Sequence, residues 1–490
     1  SFFTEQWVKM QFGHSFKQQE CDEIVYLLNE YTRLNSIRKP EALYTDTYHP
    51  VHYGEADEAL QKAEELIALA DKLLVKVNKV THASFYELVY YPVVASMNQL
   101  QMQIYGGKNE WYAKQGRVIA NDYADKIKIC LEKDEQLQQE YHAVADGKWD
   151  GMMMSEHIGF VRWNEEECRY PIRHYVEPFK KKRMIVAPTN GTDYTMGGDW
   201  TRKEIRLYDF LDPRCKEAAL DLASGGREGF NYRISCDAEW LQLSSVQGEV
   251  EKQERIMLSI DRQMVDDVCK SEEQDIIQTV LTVETEFAHV KVIVYAVAAS
   301  EQDERKVAVL PETLSETVSE DVLGLVISAQ DYTNKEDSAK GTFEVLCPYG
   351  KYKAAVKAFP ITETFVPGVD APSVSYELEI TQEGMYEIIL QCAPSNPISK
   401  KNLLRFGVKW NDEEIEVINT VTNDYRSGEN ICRAWANGVL DNIHETKLYK
   451  EGKKGKNQIT VYACDSAFVL ERILVRKAGT SWKKGYMGPR

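Results

Sequence analysis

The hydrophobic repeat of this chain changes once along its length, and that change limits what the chain can fold into. Up to about residue 145, apolar side chains recur every three or four positions. In "EADEALQKAEELIALADKLLVKV" the residues Leu60, Ala63, Leu66, Ala70, Leu73 and Val77 lie on one stripe, the mark of an amphipathic helix. Cys21, Ile24, Leu28 and Tyr31 form a second stripe, and Ala120, Ala124, Ile127 and Leu131 a third. Ser84 and Glu87 have capping-box spacing ahead of an apolar run that Pro92 must kink or restart. Four or so helices with short connections predict a bundle.

Beyond residue 180 the period falls to two. "RIMLSID" sends Ile256, Leu258 and Ile260 to one face, and "HVKVIVYAV" does the same with Val290, Val292, Val294 and Ala296. Turn signals such as "GGREG" and "VQGEV" separate these strands, which predicts a β-sandwich of roughly immunoglobulin size. A polar stretch, "ASEQDERK", reads as a linker. The strands after it, among them "SVSYELEI", "GMYEIILQC" and "NLLRFGVKW", suit a jelly-roll sandwich. The fold class is therefore multidomain α + β. The expected order is a helical bundle (1–146), a connection (147–182), an immunoglobulin-like sandwich (183–298), a linker (299–306), a jelly-roll sandwich (307–478) and a tail (479–490).

Charge narrows the function classes. The 490 residues carry a formal net charge of −18, which repels nucleic acid and argues against a nucleic-acid partner. "KKKR" at 180–183 reads as solvated surface. No apolar run reaches the ~18–20 residues of a membrane span, so no membrane partner is expected; the nearest candidate, at 80–100, is interrupted by His82, Glu87 and Asn98. Ten cysteines are widely spaced with no CxxC pair, which reads as buried thiols rather than a zinc site. Phosphate-loop, HExxH and GxSxG motifs are lacking, so no cofactor and no metal are expected, and paired carboxylates cannot be chosen by spacing among 77 acids.

The unusual stretch is "GKWDGMMMSEHIGFVRWNEEE", at the changeover between the two periods. In its plainer reading, Met152, Met153 and Met154 fill an irregular seam and Trp149 and Trp163 are core. The functional reading makes Trp149, His157 and Trp163 the wall of a carbohydrate cleft, with flat rings on sugar C–H faces and an imidazole bonding hydroxyls. Two further aromatic places admit the same two readings. "DYTMGGDW" (193–200) reads as a turn with Trp200 folded inward, and Trp435 as core on a jelly-roll loop or strand.

Several segments, in order, resemble glycoside hydrolase family 115, the xylan α-1,2-glucuronidases. They are "RKPEAL" with "YHPVHYGEADEAL", then "YYPVVASMNQLQMQIYGGKNEWYAKQGRVIAN", "GKWDGMMMSEHIGFVRWNEE", "APSVSYELEITQEGMYEI" and the closing "GYMGPR". After "HIGF" the chain departs from the family pattern, carrying Arg162 and no nearby Pro.

The resemblance implies that this is the C-terminal portion of such an enzyme, with the catalytic TIM barrel upstream in the same protein. No catalytic residue is therefore carried over to this chain, and this portion alone is expected to be inactive. It further implies hydrolysis of α-1,2-linked (4-O-methyl-)glucuronic acid from xylan, xylan or glucuronoxylan oligosaccharides as partners, homodimer formation, and a periplasmic or extracellular location in a bacterium. The rival reading is a non-catalytic carbohydrate-binding or scaffolding protein, and a hydrolase of different specificity would share the same architecture.

Overall fold

The computed structural model describes residues 2–154, 158, 170–198, 200–299, 305–308, 324–398, 402–429 and 431–489. They divide into two compact units, residues 1–210 with 215–298, and residues 211–214 with 299–490.

The first unit opens with helices, as the 3.6 period requires. They are α1 (Phe2–Phe12), α2 (Gln18–Ile37), α3 (Glu55–Leu74), the short α4 (His82–Phe85), α5 (Tyr91–Lys114) and α6 (Ile119–Gly147). Ala63, Leu66, Ala70 and Leu73 of α3 are all buried, as are Ala120, Ala124 and Ile127 of α6. On α2 the buried face runs through Leu27 rather than the expected Leu28. The α5 helix is flanked by α2, α3 and α6 and is apolar nearly all round, which suits a central helix.

The run before α5 differs from expectation. Tyr86–Tyr90 forms a single π-turn, and Pro92 sits in the first turn of α5, where its missing N–H costs nothing. No capping box forms there. Ser84 Oγ donates to the Thr81 carbonyl at 3.0 Å, and the residue preceding α4 is Thr81.

Strands β1 (Met184–Pro188), β2 (Glu204–Leu207), β3 (Glu217–Ser224), β4 (Phe230–Ser235), β5 (Leu241–Leu243), β6 (Gln247–Val250), β7 (Gln253–Ile260), β8 (Ile276–Glu284) and β9 (His289–Val297) complete the unit. They form two sheets, β1-β3-β7-β5 and β2-β9-β8-β4-β6. All the pairings are antiparallel except β2 with β9. The alternation reads true: Ile256, Leu258, Val290, Val292, Val294 and Ala296 all lie in the core between the sheets. Each such aliphatic side chain contributes about 1.5–3 kcal/mol by leaving water. "VQGEV" is largely strand β6, not a turn. An unexpected helix, α7 (Arg262–Glu272), joins β7 to β8, capped by the Asp261 carboxylate accepting from the N–H of Gln263 and Met264.

Bundle and sheet are tied together by charge. Arg117, just before α6, donates from Nη1 to Asp221 of β3 at 3.2 Å, and both side chains are almost fully buried. Arg255 of β7 donates to Asp221 at 2.9 Å and reaches Asp57 of α3 at 3.4 Å. Lys108 of α5 meets Asp57 at 2.5 Å. A backbone bond from Val118 N to Ser224 O, 2.8 Å, runs alongside.

In the second unit the strands are β10 (Lys306–Val307), β11 (Leu325–Ser328), β12 (Asn334–Glu336), β13 (Thr342–Leu346), β14 (Ala355–Phe359), β15 (Ser373–Ile380), β16 (Gly384–Cys392), β17 (Arg405–Trp410), β18 (Glu416–Asn419), β19 (His444–Gly452), β20 (Gly455–Ala463) and β21 (Val469–Lys477). One sheet runs β10-β15-β20-β17-β18 with β12 also on β15. The other runs β13-β14-β21-β16-β19 with β11 also on β21. Val374, Tyr376, Leu378, Ile388, Leu390, Phe406, Val461 and Ile473 lie in the core between them. A short helix, α8 (Arg433–Asp441), precedes β19. The expected order of helical region and then β-sandwiches holds.

Candidate functional site

The helical ladder of α6 breaks at Val144. Ala145 and Asp146 follow in the left-handed region, φ 54° and 57°, and then Gly147 at 78°. A side chain with a Cβ rarely sits there, so two in succession mark a place the surroundings hold against local preference. Directly after this break comes Trp149, half-buried, with the Lys148 ammonium 4.7 Å from the centre of its ring.

The next turn is clamped onto α6. His142 Nε2 accepts from Met153 N at 3.1 Å, and the Gln138 amide donates to the Met153 carbonyl. With Nε2 as acceptor, the neutral ring carries its proton on Nδ1, which faces Asp150 at 3.7 Å. Met152 and Met154 are 60% and 70% exposed, so they do not fill a seam as expected; the polar clamp on Met153 does the anchoring. His157 and Trp163, the other two predicted site residues, lie outside the described residues.

Beside this segment stands the π-turn. Burial pushes the Glu87 carboxyl above its ordinary range, and the nearby Lys148 ammonium opposes the rise. Its Oε1 is buried without a hydrogen-bond partner. Around it Tyr86, Tyr90, Tyr91 and Tyr141 pack with ring centres 4.8–6.5 Å apart. Tyr86 donates to Glu140 at 2.9 Å and Tyr90 to Asp71 at 2.8 Å. An aromatic face, a cation and a carboxyl raised above its ordinary range are groups that can stack on a sugar and bond its hydroxyls.

Sequence reasoning missed a second aromatic cluster in this unit. His49 and His52 stack at 3.7 Å and 3°, and His49 meets Trp111 edge-on at 5.3 Å. His49 Nδ1 accepts from the N–H of Val51 and His52, which fixes its proton on Nε2. Tyr53, at φ 59°, is held in the left-handed region by its N–H to Asn190 Oδ1, 3.0 Å. The two histidines three apart in "YHPVHYGE" were the available signal; their stacking is not a property of spacing.

The other two aromatic places differ from expectation. Trp200 is 100% exposed rather than folded inward. Trp435 lies on α8, not on a loop or strand, and packs against the core of the second sandwich. Among the described residues no group of three or more His, Cys, Asp or Glu side chains could hold a metal ion, and no helix is long and apolar enough to cross a membrane.

In the second unit the polar chemistry gathers on β21. A bulge against Gln391 and Cys392 inserts Glu471 as an extra residue. Its Oε2 accepts from the N–H of Lys351 and Tyr352 at 2.8 and 3.2 Å, while Oε1 is buried and unpartnered. Burial outweighs these bonds and the neighbouring Lys351 and Arg472, and the carboxyl is pushed up to about 7.

Residues 323–490 match the family model described as the glycosyl hydrolase family 115 C-terminal domain. This segment, about a third of the chain, is similar to that domain. Among solved structures, the chain is similar to a family GH115 4-O-methyl-alpha-glucuronidase with specificity for decorated arabinogalactans. The identity is 15% and the TM-score 0.48, over 97% of this chain and 41% of that one. The chain thus spans well under half the length of that enzyme. About a third of the chain is also similar to carbohydrate-binding modules. One is a family 35 module from Clostridium thermocellum, at 12% identity and TM-score 0.22, covering 32% of this chain and 98% of that one. Another is the C-terminal CBM6 of a laminarinase from Zobellia galactanivorans, at 15% identity and TM-score 0.21, covering 31% and 99%. No curated protein matches the chain.

Proposed function

We propose that this chain is the C-terminal portion of a family 115 glycoside hydrolase that removes α-1,2-linked (4-O-methyl-)glucuronic acid from xylan outside the cytoplasm. The observation that carries this reading is the family 115 domain over residues 323–490. The catalytic barrel is upstream in the same polypeptide and supplies the paired carboxylates that glycoside hydrolysis uses, so no catalytic residue is assigned here. Bundle and sandwiches brace that barrel and extend the polysaccharide-binding surface, with a second copy of the chain as a further partner. Trp149 is the sugar platform of the bundle, with His157 and Trp163 completing it. The ring stacks on sugar C–H faces, and Lys148 and Glu87 serve polar groups around them.

Glucuronoxylan turnover by the longer polypeptide tests this. The Trp149→Ala change should lower kcat/KM about tenfold, the worth of one stacking contact of roughly 1.4 kcal/mol. Unchanged kcat/KM at unchanged stability would remove Trp149 from the site. Release of glucuronic acid by this 490-residue chain alone would overturn the upstream assignment of the catalytic carboxylates. Cleavage of some other polysaccharide, with glucuronoxylan untouched, would overturn the substrate.

A further inference from the structure

Residues 478–489 follow β21 and fold back across the outer side of its sheet. Ala478 N still donates to the Met385 carbonyl of β16 at 2.8 Å, and beyond it two places anchor side chains and carbonyls. At the first, the Trp482 ring lies 4.7 Å from the Arg476 guanidinium, and it packs so closely on Gly324 that a Cβ there would sit 2.3 Å from the ring. At the second, one guanidinium gathers the end of the segment. Arg472 donates from Nη1 to the Pro489 carbonyl and from Nη2 to the Met487 carbonyl, each at 2.9 Å. Two carbonyls so close in sequence converge on one side chain because Gly488 between them is left-handed, φ 69°.

The same guanidinium also holds a loop. Arg472 lies 3.5 Å over the Tyr352 ring, donates to its hydroxyl at 2.7 Å, and donates through Nε to Gln391. Tyr486 roofs the neighbouring residue, with the Lys351 ammonium 3.5 Å from its ring centre, and donates to the Leu440 carbonyl at 3.1 Å. Lys351 in turn donates to the Asp441 carbonyl at 2.7 Å. Under the loop, Glu471 takes the N–H groups of Lys351 and Tyr352, and Gly350 lies so near that a Cβ would meet its carboxylate at 2.3 Å. Loop 348–354 is thus held from below by Glu471 and from above by residues 486–489. It carries Tyr349, 37% exposed, to the surface.

We propose that residues 478–489 are a latch: by gripping Arg472 and covering Lys351 they hold the 348–354 loop, with its outward Tyr349, in one conformation. With the latch engaged, the loop presents a fixed aromatic edge at the surface of the family 115 domain. With it released, Arg472 loses the Met487 and Pro489 carbonyls and Lys351 loses the Tyr486 ring, so the loop is left to Glu471, to the Arg472 contact with Tyr352 and to the Lys351 bond to the Asp441 carbonyl. Past Ala478 the segment is tied by side-chain-to-carbonyl bonds and ring contacts, and such a segment opens more readily than the sheet beneath it.

Hydrogen exchange on the whole chain tests the latch. Gly488→Val disfavours the left-handed turn and places a Cβ 3.1 Å from the Arg472 guanidinium, so it should disengage residues 487–489. Tyr486→Ala removes the cover from Lys351 without touching Arg472. Each change should speed exchange across 348–354 about tenfold while peptides from β15 and β20 stay within about twofold of the parent. Unchanged exchange of the loop in both variants would overturn the latch. So would an equal rise over the whole second unit, which would make the segment a general stabiliser.

Discussion

Replacing Glu471 with Gln should stabilise the second unit at high pH and not at low pH. The carboxyl is 0% exposed, and its ordinary value of 4.5 rises to about 7 in the folded protein. A raised acid favours the fold while protonated: its contribution is fully present below pH 4.5 and is lost as pH climbs through about 7. At 1.36 kcal/mol per pH unit the full loss is about 3 kcal/mol. Gln keeps the oxygen that takes the N–H groups of Lys351 and Tyr352 but never ionises, so it escapes this loss. Urea unfolding of parent and E471Q at pH 4.5 and pH 8.5, followed by tryptophan fluorescence, gives the double difference, and every other titrating group cancels between the two proteins. The expected value is about 3 kcal/mol in favour of Gln at the higher pH, or some 5–10 °C in Tm for a unit of this size. A double difference under about 0.5 kcal/mol, or one of opposite sign, would refute the claim that burial dominates the neighbouring Lys351 and Arg472.

Other expectations follow from the same contacts. Asp221→Ala strands the buried Arg117 guanidinium, and chemical denaturation should register a loss of about 3–5 kcal/mol in the first unit. Gly350→Ala, at φ 64° and against the Glu471 carboxylate, should lower stability by roughly 1–3 kcal/mol. Trp200→Ala removes a ring that packs on nothing and should leave stability within about 0.5 kcal/mol of the parent; a larger drop would show that the ring has a partner. Burial pushes the thiols of Cys130, Cys392 and Cys464 up to about 12, while Cys347 is exposed. A thiol reagent at pH 8 should therefore label Cys347 quickly and spare the other three until the chain is unfolded.

Periodicity carried the fold because it reports which face loses water. Ile256, Leu258, Val290 and Val292 alternate in sequence and meet in one core, and Ala63, Leu66, Ala70 and Leu73 of the α3 stripe are buried, while Leu60 is half-buried and Val77 lies past the end of the helix. Its limits show where local signals compete. The α2 stripe slipped by one residue because Leu27 and Leu28 are both apolar and only packing chooses between them. Helix α7 went unread although Asp261 caps it, because its polar sequence sits among alternating strands. The site was less legible still. Trp149 was visible as an aromatic residue at the change of period, but Glu87 gains meaning only when the π-turn buries it. Glu471 and Arg472 look like an ordinary charged pair on a strand until a bulge sets one against the 348–354 loop and the other against residues 487–489.

The ionic chain from Lys108 through Asp57, Arg255 and Asp221 to Arg117 bears on how this protein could be recombined. A chimaera that took its helices from one relative and its first sandwich from another would join at the change of period, where the sequence invites a cut. Arg117 and Asp57 on the helical side and their partners Asp221 and Arg255 on the sandwich side would then come from different parents. Unless both parents carried the matching set, the hybrid would enclose a charge with nothing to answer it. The helices and the first sandwich should therefore be inherited as a single cassette, transferred together or not at all.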